Sequence, residues 1–297
     1  GSLDEYPTID PTSFDVVLCG TGLPESILAA ACAAAGKTVL HVDPDPFYGS
    51  FYSSIPLPSV PSFLSADSST PCPSSPTTTS SATAEYTAVD LERRSLYSEV
   101  ETSGTVPELS RRFTVDLVGP RVLYCADEAV DLLLRSGGSH HVEFKSVEGG
   151  SLIYWDGALC PDGEGQASGK ISEEDLDLPF IEFLKKQQLQ PKIRAVVLYA
   201  IAMADYDQDA ADTCEKLLTT RDGIKTLALY SSSIGRFANA QGAFIYPMYG
   251  HGELPQAFCR FAAVKGALYV LRMPVTALLV DQHPTINILL IRKRSVI

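Results

Sequence analysis

Residues 14–19 (FDVVLC) form a short apolar run rich in β-branched side chains, the pattern of a buried strand. Gly20-Thr21-Gly22 then turns the chain, and Pro24 and Glu25 suit the first turn of a helix. Residues 26–35 (SILAAACAAA) have high helix propensity and stop at Gly36. A second strand, 37–42 (KTVLHV), ends at Asp43. The opening is therefore a βαβ unit of the dinucleotide-binding kind. Residues 44–52 follow as a turn-rich aromatic segment, and 53–83 are largely Ser, Thr and Pro, with no period able to bury a face. That stretch reads as a disordered insertion. Alternation over 113–117 (FTVDL) predicts a half-buried strand, 125–136 a helix, and 142–147 and 152–155 two strands joined as a hairpin across 148–151.

The later pattern is mostly helical. After a Gly-rich stretch, 156–170, helices are predicted over 176–188, 191–203, 209–219 and 221–235. Residues 244–249 (FIYPMY) read as a strand placed at an edge or bend by Pro247. A helix over 253–265 and strands over 267–271 and 276–280 follow. The apolar tail INILLIRKRSVI ends without a cap or turn, which leads to the expectation that the chain is truncated at its C-terminus. The partition expected is 1–155 as the first part of domain I, 156–235 as a small helical domain II, and 236–297 as the return of domain I. The fold class is α/β, a Rossmann-like FAD/NAD(P)-binding domain with a small helical second domain.

Composition narrows the function. Among 297 residues, 45% are hydrophobic and 20% charged, as in ordinary globular proteins. A net charge of −13 argues against a nucleic-acid partner or an anionic membrane surface. Seven cysteines are scattered without a C-x-x-C pair, which fits reduced core residues rather than disulfides or zinc. The opening residues carry no secretory-signal pattern, and no apolar run is long enough for a transmembrane helix. Together these lead to an expectation of a cytoplasmic protein.

Candidate chemistry is sparse. The G-x-G-x-x-G/A fingerprint keeps Gly20 and Gly22 but has Glu25 in its third small position, where a carboxylate competes with a pyrophosphate for the helix pole. Asp43, 23 residues after Gly20, is acceptable as a ribose-binding acid. The reading favoured is a dinucleotide fold retained with its cofactor lost. No nucleophile elbow or Ser–His–Asp motif is present, and no catalytic residue or metal site is assigned. His41 reads as a satisfied core histidine, His140-His141 as a turn, and His251, between two glycines, as mobile and solvated. In residues 244–260, Glu253, Gln256 and Arg260 recur at helical spacing and share a polar face, with Leu254, Phe258 and Phe261 opposite. Such a face hydrogen-bonds a protein partner without any reaction, or is a solvated face with a Glu–Arg pair.

Two long stretches carry a resemblance: DVVLCGTGLPESILAAACAAAGKTVLHVDPDPFYG and YPMYGHGELPQAFCRFAAVKGALYVLR are similar to the first and third conserved regions of the superfamily of Rab escort proteins and Rab GDP-dissociation inhibitors. RRFTVDLVGPRVLYCADEAVDLLLRSG, the Ser/Thr/Pro insertion and IEFLKKQQLQPKIRAVVLYAIAM resemble the escort branch. The resemblance implies a flavoprotein-like domain I that uses no flavin, with Gly20, Gly22, Glu25 and Asp43 as a vestigial loop. It implies a non-enzymatic protein that presents newly made, GDP-bound Rab to the α/β heterodimer of Rab geranylgeranyltransferase, shelters the prenyl lipid and delivers the product to membranes. By motif, the Rab-binding platform falls on Tyr48, Tyr249, Glu253, Gln256, Arg260 and Arg111. Domain II, which looks shortened against the family, is expected to dock on the transferase, and Phe180, Phe183 and Arg194 are assigned to that face without a motif to fix the helix phase. The alternatives are an inhibitor that recycles prenylated Rab and an FAD-dependent oxidoreductase. Ser50 departs from the family's YGG.

Overall fold

The computed structural model describes residues 9–65, 80–81, 84–91, 99–105, 109–119, 121–147, 152–155, 158–161, 172–209, 217–275, 277–281 and 288–291. The chain forms two compact units, Gly1–Pro120 with Gly137–Glu143 and Tyr249–Ile297, and Arg121–Ser136 with Phe144–Met248. This division differs from the partition drawn from the sequence. Residues 121–136 and most of 144–155, expected in domain I, cluster with the helices, as do 236–248.

In the first unit, strands Val16–Cys19, Val39–Val42 and Leu268–Val270 form a parallel sheet with Val39–Val42 in the middle. The middle strand is buried along its whole length, which is why it reads as a continuous apolar run. Helices Leu23–Ala34 and Glu253–Val264 pack against each other. Their buried faces are rich in small side chains, Ala29, Ala30 and Ala33 on one and Ala257 and Ala262 on the other, so the backbones can approach closely. Both helices stop in the same way. Gly36 (φ +77°) and Gly266 (φ +98°) take the left-handed conformation. The next residue's N–H, from Lys37 and Ala267, reaches back to the Cys32 and Ala262 carbonyls. Each cap redirects the chain into the following parallel strand.

Two further sheets belong to this unit. Ser54–Pro56 pairs antiparallel with Thr114–Asp116, bringing Ser54 opposite Asp116. Ser80–Ser81, Ala84–Asp90, Ala277–Asp281 and Ile288–Ile291 form the other, with the apolar segment Ile288–Ile291 paired to Ala277–Asp281. The expectation of disorder from residue 53 onward needs correction. Ser53 and Ile55 are fully buried, Phe63 is nearly so, and Val60–Ser65 is helical. Two apolar anchors and a buried serine suffice to order a Ser/Pro-rich stretch that has no periodicity. Residues 66–79, the rest of that expected insertion apart from 80–83, lie outside the described residues.

In the second unit, Phe244–Pro247 is the central strand of a three-stranded antiparallel sheet, between Leu123–Tyr124 and Phe144–Val147. Pro247 does not make it an edge. Pairing on the Leu123–Tyr124 side involves only Phe244 and Ile245, so the missing N–H falls where no neighbour needs it. The expected hairpin of 142–147 with 152–155 is also replaced: Leu152–Trp155 pairs with Ala158–Pro161 instead.

The helices of this unit are Glu128–Ser136, Glu173–Leu176, Phe180–Lys186, Pro191–Ala195 running into a π-helical turn Val196–Ile201, and Thr220–Ser233. Most of the helix expected over 209–219 lies outside the described residues. Phe180, Ile181, Phe183, Leu184, Leu198 and Ala202 form a core, with Leu189, Val197, Leu218 and Leu227 packed around it.

Gly223, inside Thr220–Ser233, lies directly against Phe180: a Cβ there would sit 2.5 Å from ring carbons Cγ and Cδ1. Gly223→Ala gains about 1 kcal/mol of helix propensity, but Phe180 is fully buried and cannot move aside. Overpacking of this kind costs ~3 kcal/mol at the upper end. The variant is expected to lose about 2 kcal/mol in denaturant unfolding; a gain in stability would contradict the packing described.

Candidate functional site

The glycine loop is closed by its own side chains. Gly20 (φ +93°) makes the turn that no β-carbon residue would favour. The Thr21 N–H and hydroxyl both donate to Asp43 Oδ2 at 2.6 Å, and the Asp45 N–H donates to Oδ1 at 2.8 Å. Asp43 is 1% exposed. The Thr21 hydroxyl in turn accepts the Gly49 N–H at 2.9 Å. Asp43 thus staples the loop to the 43–49 turn, and both its oxygens are committed within the chain. The Glu25 carboxylate folds back over Gly22, with Oε2 2.5 Å from where a Cβ would stand. A pyrophosphate at this helix pole would meet the Glu25 carboxylate, and a ribose at Asp43 would compete with three internal donors.

A buried polar cluster lies beneath this loop. His41, fully buried, bonds the Gly20 carbonyl through Nε2, which places the proton on that nitrogen. Burial lowers its pKa, so it is held neutral. Its ring lies 5.0 Å from that of Tyr269, and Tyr48 meets Tyr269 edge-on at 5.8 Å. The His41 Nδ1 is buried without a hydrogen-bond partner, so His41 is not the satisfied core histidine expected. Ser26 Oγ donates to the Thr21 carbonyl at 3.1 Å, leaving the Cys259 thiol to donate to Ser26 Oγ at 3.2 Å. Burial raises the Cys259 thiol and Tyr48 phenol pKa values, so neither is an activated nucleophile.

The exposed edge of helix Glu253–Val264 has a different character. Leu254, Ala257, Phe258 and Ala262 face inward, while Arg260 is exposed and Glu253 and Gln256 are half-buried. Phe261 does not join the inward face as expected; it is half-buried, with the Lys265 ammonium 5.7 Å from its ring centre. Glu253 does not pair with Arg260. Its Oε2 accepts the Tyr249 N–H at 3.0 Å and so closes the turn that starts the helix. Tyr249 is 70% exposed, and Arg260 makes no salt bridge or hydrogen bond through its side chain among the described residues. A guanidinium and an amide are therefore presented on a helix whose opposite face is fixed, with a phenol on the turn that leads into it.

Tyr48 lies on a turn that meets this helix, and the stretch after Arg111 meets the turn before it through Asp116 and His251. Gly49 (φ +110°) lets the Tyr48 turn rest on Pro255, 3.1 Å from where a Cβ would project. Ser50 adopts φ +49°, so the serine in place of a glycine carries about 1 kcal/mol of backbone strain. Arg111 is exposed on a 3-10 turn, Ser110–Arg112, just before strand Thr114–Asp116. His251 corrects an expectation: it is neither mobile nor solvated but 2% exposed, bonded through Nδ1 to Asp116 at 2.8 Å. Asp116 and Ser54 were not singled out from the sequence. The only signal was the alternation over 113–117, which placed an acid on a strand without naming its partner.

In the second unit, Phe180 and Phe183 are 0% and 8% exposed and stack with centroids 6.3 Å apart. They form core, not a docking face, because helical spacing 180, 181, 183, 184 points inward; Glu182, Lys185 and Lys186 face out. Arg194 is half-buried and donates to the Leu189 carbonyl at 2.9 Å. Among the described residues no group of three or more His, Cys, Asp or Glu side chains is placed to hold a metal, and no helix is long and apolar enough to cross a membrane.

The sequence profile of the GDP dissociation inhibitor family matches residues 10–71 and 166–293. Rab escort protein 1 of Arabidopsis thaliana is 48% identical over 94% of this chain and 57% of its own length. The Rab proteins geranylgeranyltransferase component A of Drosophila melanogaster is 30% identical over 92% of this chain and 55% of its own. The chain therefore spans little more than half the length of these relatives. Among solved structures, the Rab GDI of Plasmodium falciparum is similar with a TM-score of 0.54 at 20% identity, covering 93% of this chain and 62% of that one; it shows the fold, α/β of the GDI type. By the profile match, the chain belongs to the GDP dissociation inhibitor family.

Proposed function

We propose that this chain is the Rab-binding part of an escort protein, a non-enzymatic accessory of Rab geranylgeranyltransferase. It binds newly made, GDP-bound Rab, presents it to the transferase α/β heterodimer, holds the prenyl group of the product and hands the lipidated Rab to membranes, working in the cytoplasm. The similarity to proteins named Rab escort protein and geranylgeranyltransferase component A supports this choice within the family. The observation that carries it is the edge of helix Glu253–Val264, where Tyr249, Gln256 and an unengaged Arg260 stand on a rigid, buried base. An arginine with no side-chain partner among the described residues is available for bidentate bonds to a partner's carboxylate. Tyr48 and Arg111 extend the platform. The helical unit is the proposed dock for the transferase, through its outward residues and Arg194 and not through Phe180 or Phe183.

No flavin is assigned to this role. The packing of Glu25 over Gly22 and the commitment of both Asp43 oxygens support a vestigial site. A recycling inhibitor is the second reading, favoured by the family profile itself; it differs in preferring prenylated over unprenylated Rab.

Titration of GDP-loaded, unprenylated Rab against the purified chain tests the platform. Arg260→Ala is expected to weaken binding by about tenfold or more, as loss of a buried charged contact does. Tyr249→Ala is expected to weaken it by a similar factor, as interface aromatics do. Unchanged affinity in both variants would remove the surface from the account. Binding confined to prenylated Rab would select the inhibitor reading. The purified protein is also expected to be colourless and to leave the spectrum of added FAD unchanged near ~450 nm; a bound, perturbed flavin would support the oxidoreductase.

A further inference from the structure

Three separate stretches of the first unit carry the proposed Rab-binding surface: the Tyr48 turn, the segment after Arg111, and the turn from Tyr249 into helix Glu253–Val264. One pair of side chains joins them, His251 buried and Asp116 half-buried. The His251 backbone N–H and its Nδ1 both meet Asp116 Oδ2, at 2.9 and 2.8 Å. A nitrogen that donates to a carboxylate carries a proton, so Nδ1 is the protonated position. Ser54 stands opposite Asp116 in the strand pair, donates its hydroxyl to Oδ1 at 3.3 Å and accepts the Gly252 N–H at 3.1 Å. One residue earlier, Ser53 donates its hydroxyl to the Tyr48 carbonyl at 2.9 Å, and its own carbonyl accepts the Leu117 N–H at 3.1 Å. Asp116 thus sits where all three stretches converge.

The glycines beside His251 make the same contact at the backbone. A Cβ on Gly250 would stand 2.4 Å from Ser54 Oγ, and one on Gly252 2.6 Å from the Ser54 nitrogen. The turn is pressed directly onto strand Ser54–Pro56. The hydroxyl of Ser54 bonds the carboxylate, not the imidazole, which is not the order of a Ser–His–Asp relay. At 2% exposure the imidazole cannot touch a protein partner either.

We infer that His251 and Asp116 are positioning residues of the Rab-binding surface, holding Tyr249 and the start of the platform helix in register with the Tyr48 and Arg111 stretches. The inference rests on the Rab-binding reading and adds two residues that contact no partner. Removal of the imidazole takes one donor from the half-buried Asp116 carboxylate and frees the turn that carries Tyr249. Asparagine at 251 restores an N–H donor close to the Nδ1 position.

The test titrates GDP-loaded, unprenylated Rab against the wild type, His251→Ala, His251→Asn, Asp116→Ala and the double alanine variant, with hydrogen exchange of the free proteins. His251→Ala is expected to weaken binding about tenfold and His251→Asn to recover to within about threefold of wild type. Asp116→Ala is expected to match His251→Ala, and the double variant to add little beyond either, because both break one coupled contact. Exchange is expected to rise at residues 249–253 in His251→Ala while Phe180–Lys186 keeps its protection, which separates a loosened turn from global unfolding. Wild-type affinity in His251→Ala, or failure of His251→Asn to recover it with the fold intact, overturns the inference. A wild type that does not bind Rab overturns the functional reading, and this inference with it.

Discussion

The carboxylate of Asp43, closed off by two hydrogen bonds from Thr21 and one from Asp45, sets the character of the first unit. In a dinucleotide-binding fold an acid at this place is turned to the ligand. Here it turns inward and joins the glycine loop to the turn that carries Tyr48. Glu25 closes the loop from the helix side. The same βαβ frame then serves as a rigid support, with a parallel sheet and two helices holding the exposed edge of Glu253–Val264.

Rigidity of that edge comes from small residues on the buried face of each helix and from matching glycine caps that return the chain to neighbouring parallel strands. Because the inward face is fixed by Leu254, Ala257, Phe258 and Ala262, the polar residues opposite need little ordering when a partner docks. Association loses less side-chain and backbone entropy on such a surface than on a mobile loop. The proposed escort role uses binding alone, and the buried thiol, the Tyr269 phenol and the neutral imidazole under the loop suit packing rather than reaction.

Much of the fold was legible where a local rule dominated. The opening βαβ unit follows from apolar period, Pro24 and the cap at Gly36, and the helix expected over 253–265 from its apolar and polar spacing. The misses have a common cause in long-range contacts. Pro247 suggested an edge strand because the sequence does not tell how far Leu123–Tyr124 extends alongside it. The hairpin of 142–147 failed because Phe144–Val147 finds its partner about 100 residues later. Ser53–Ser65 looked disordered because the burial of Ser53, Ile55 and Phe63 is not periodic. In the site, the polar spacing 253, 256 and 260 was visible, but His251 between two glycines read as mobile. Its partner Asp116 lies 135 residues away, and nothing local announces the pair. Phe180 and Phe183 were placed on a surface because the helix phase was not known; the stacked pair sits inside.

The central claim is that this chain presents Rab for lipidation. The direct measurement combines the purified chain, unprenylated GDP-loaded Rab, Rab geranylgeranyltransferase and labelled geranylgeranyl diphosphate, and counts lipid transferred to Rab. The account predicts transfer that rises with the concentration of the chain and falls when Arg260 is replaced by alanine. Transfer that is unaffected by the chain, with no Rab retained on it in the same mixture, would contradict the account.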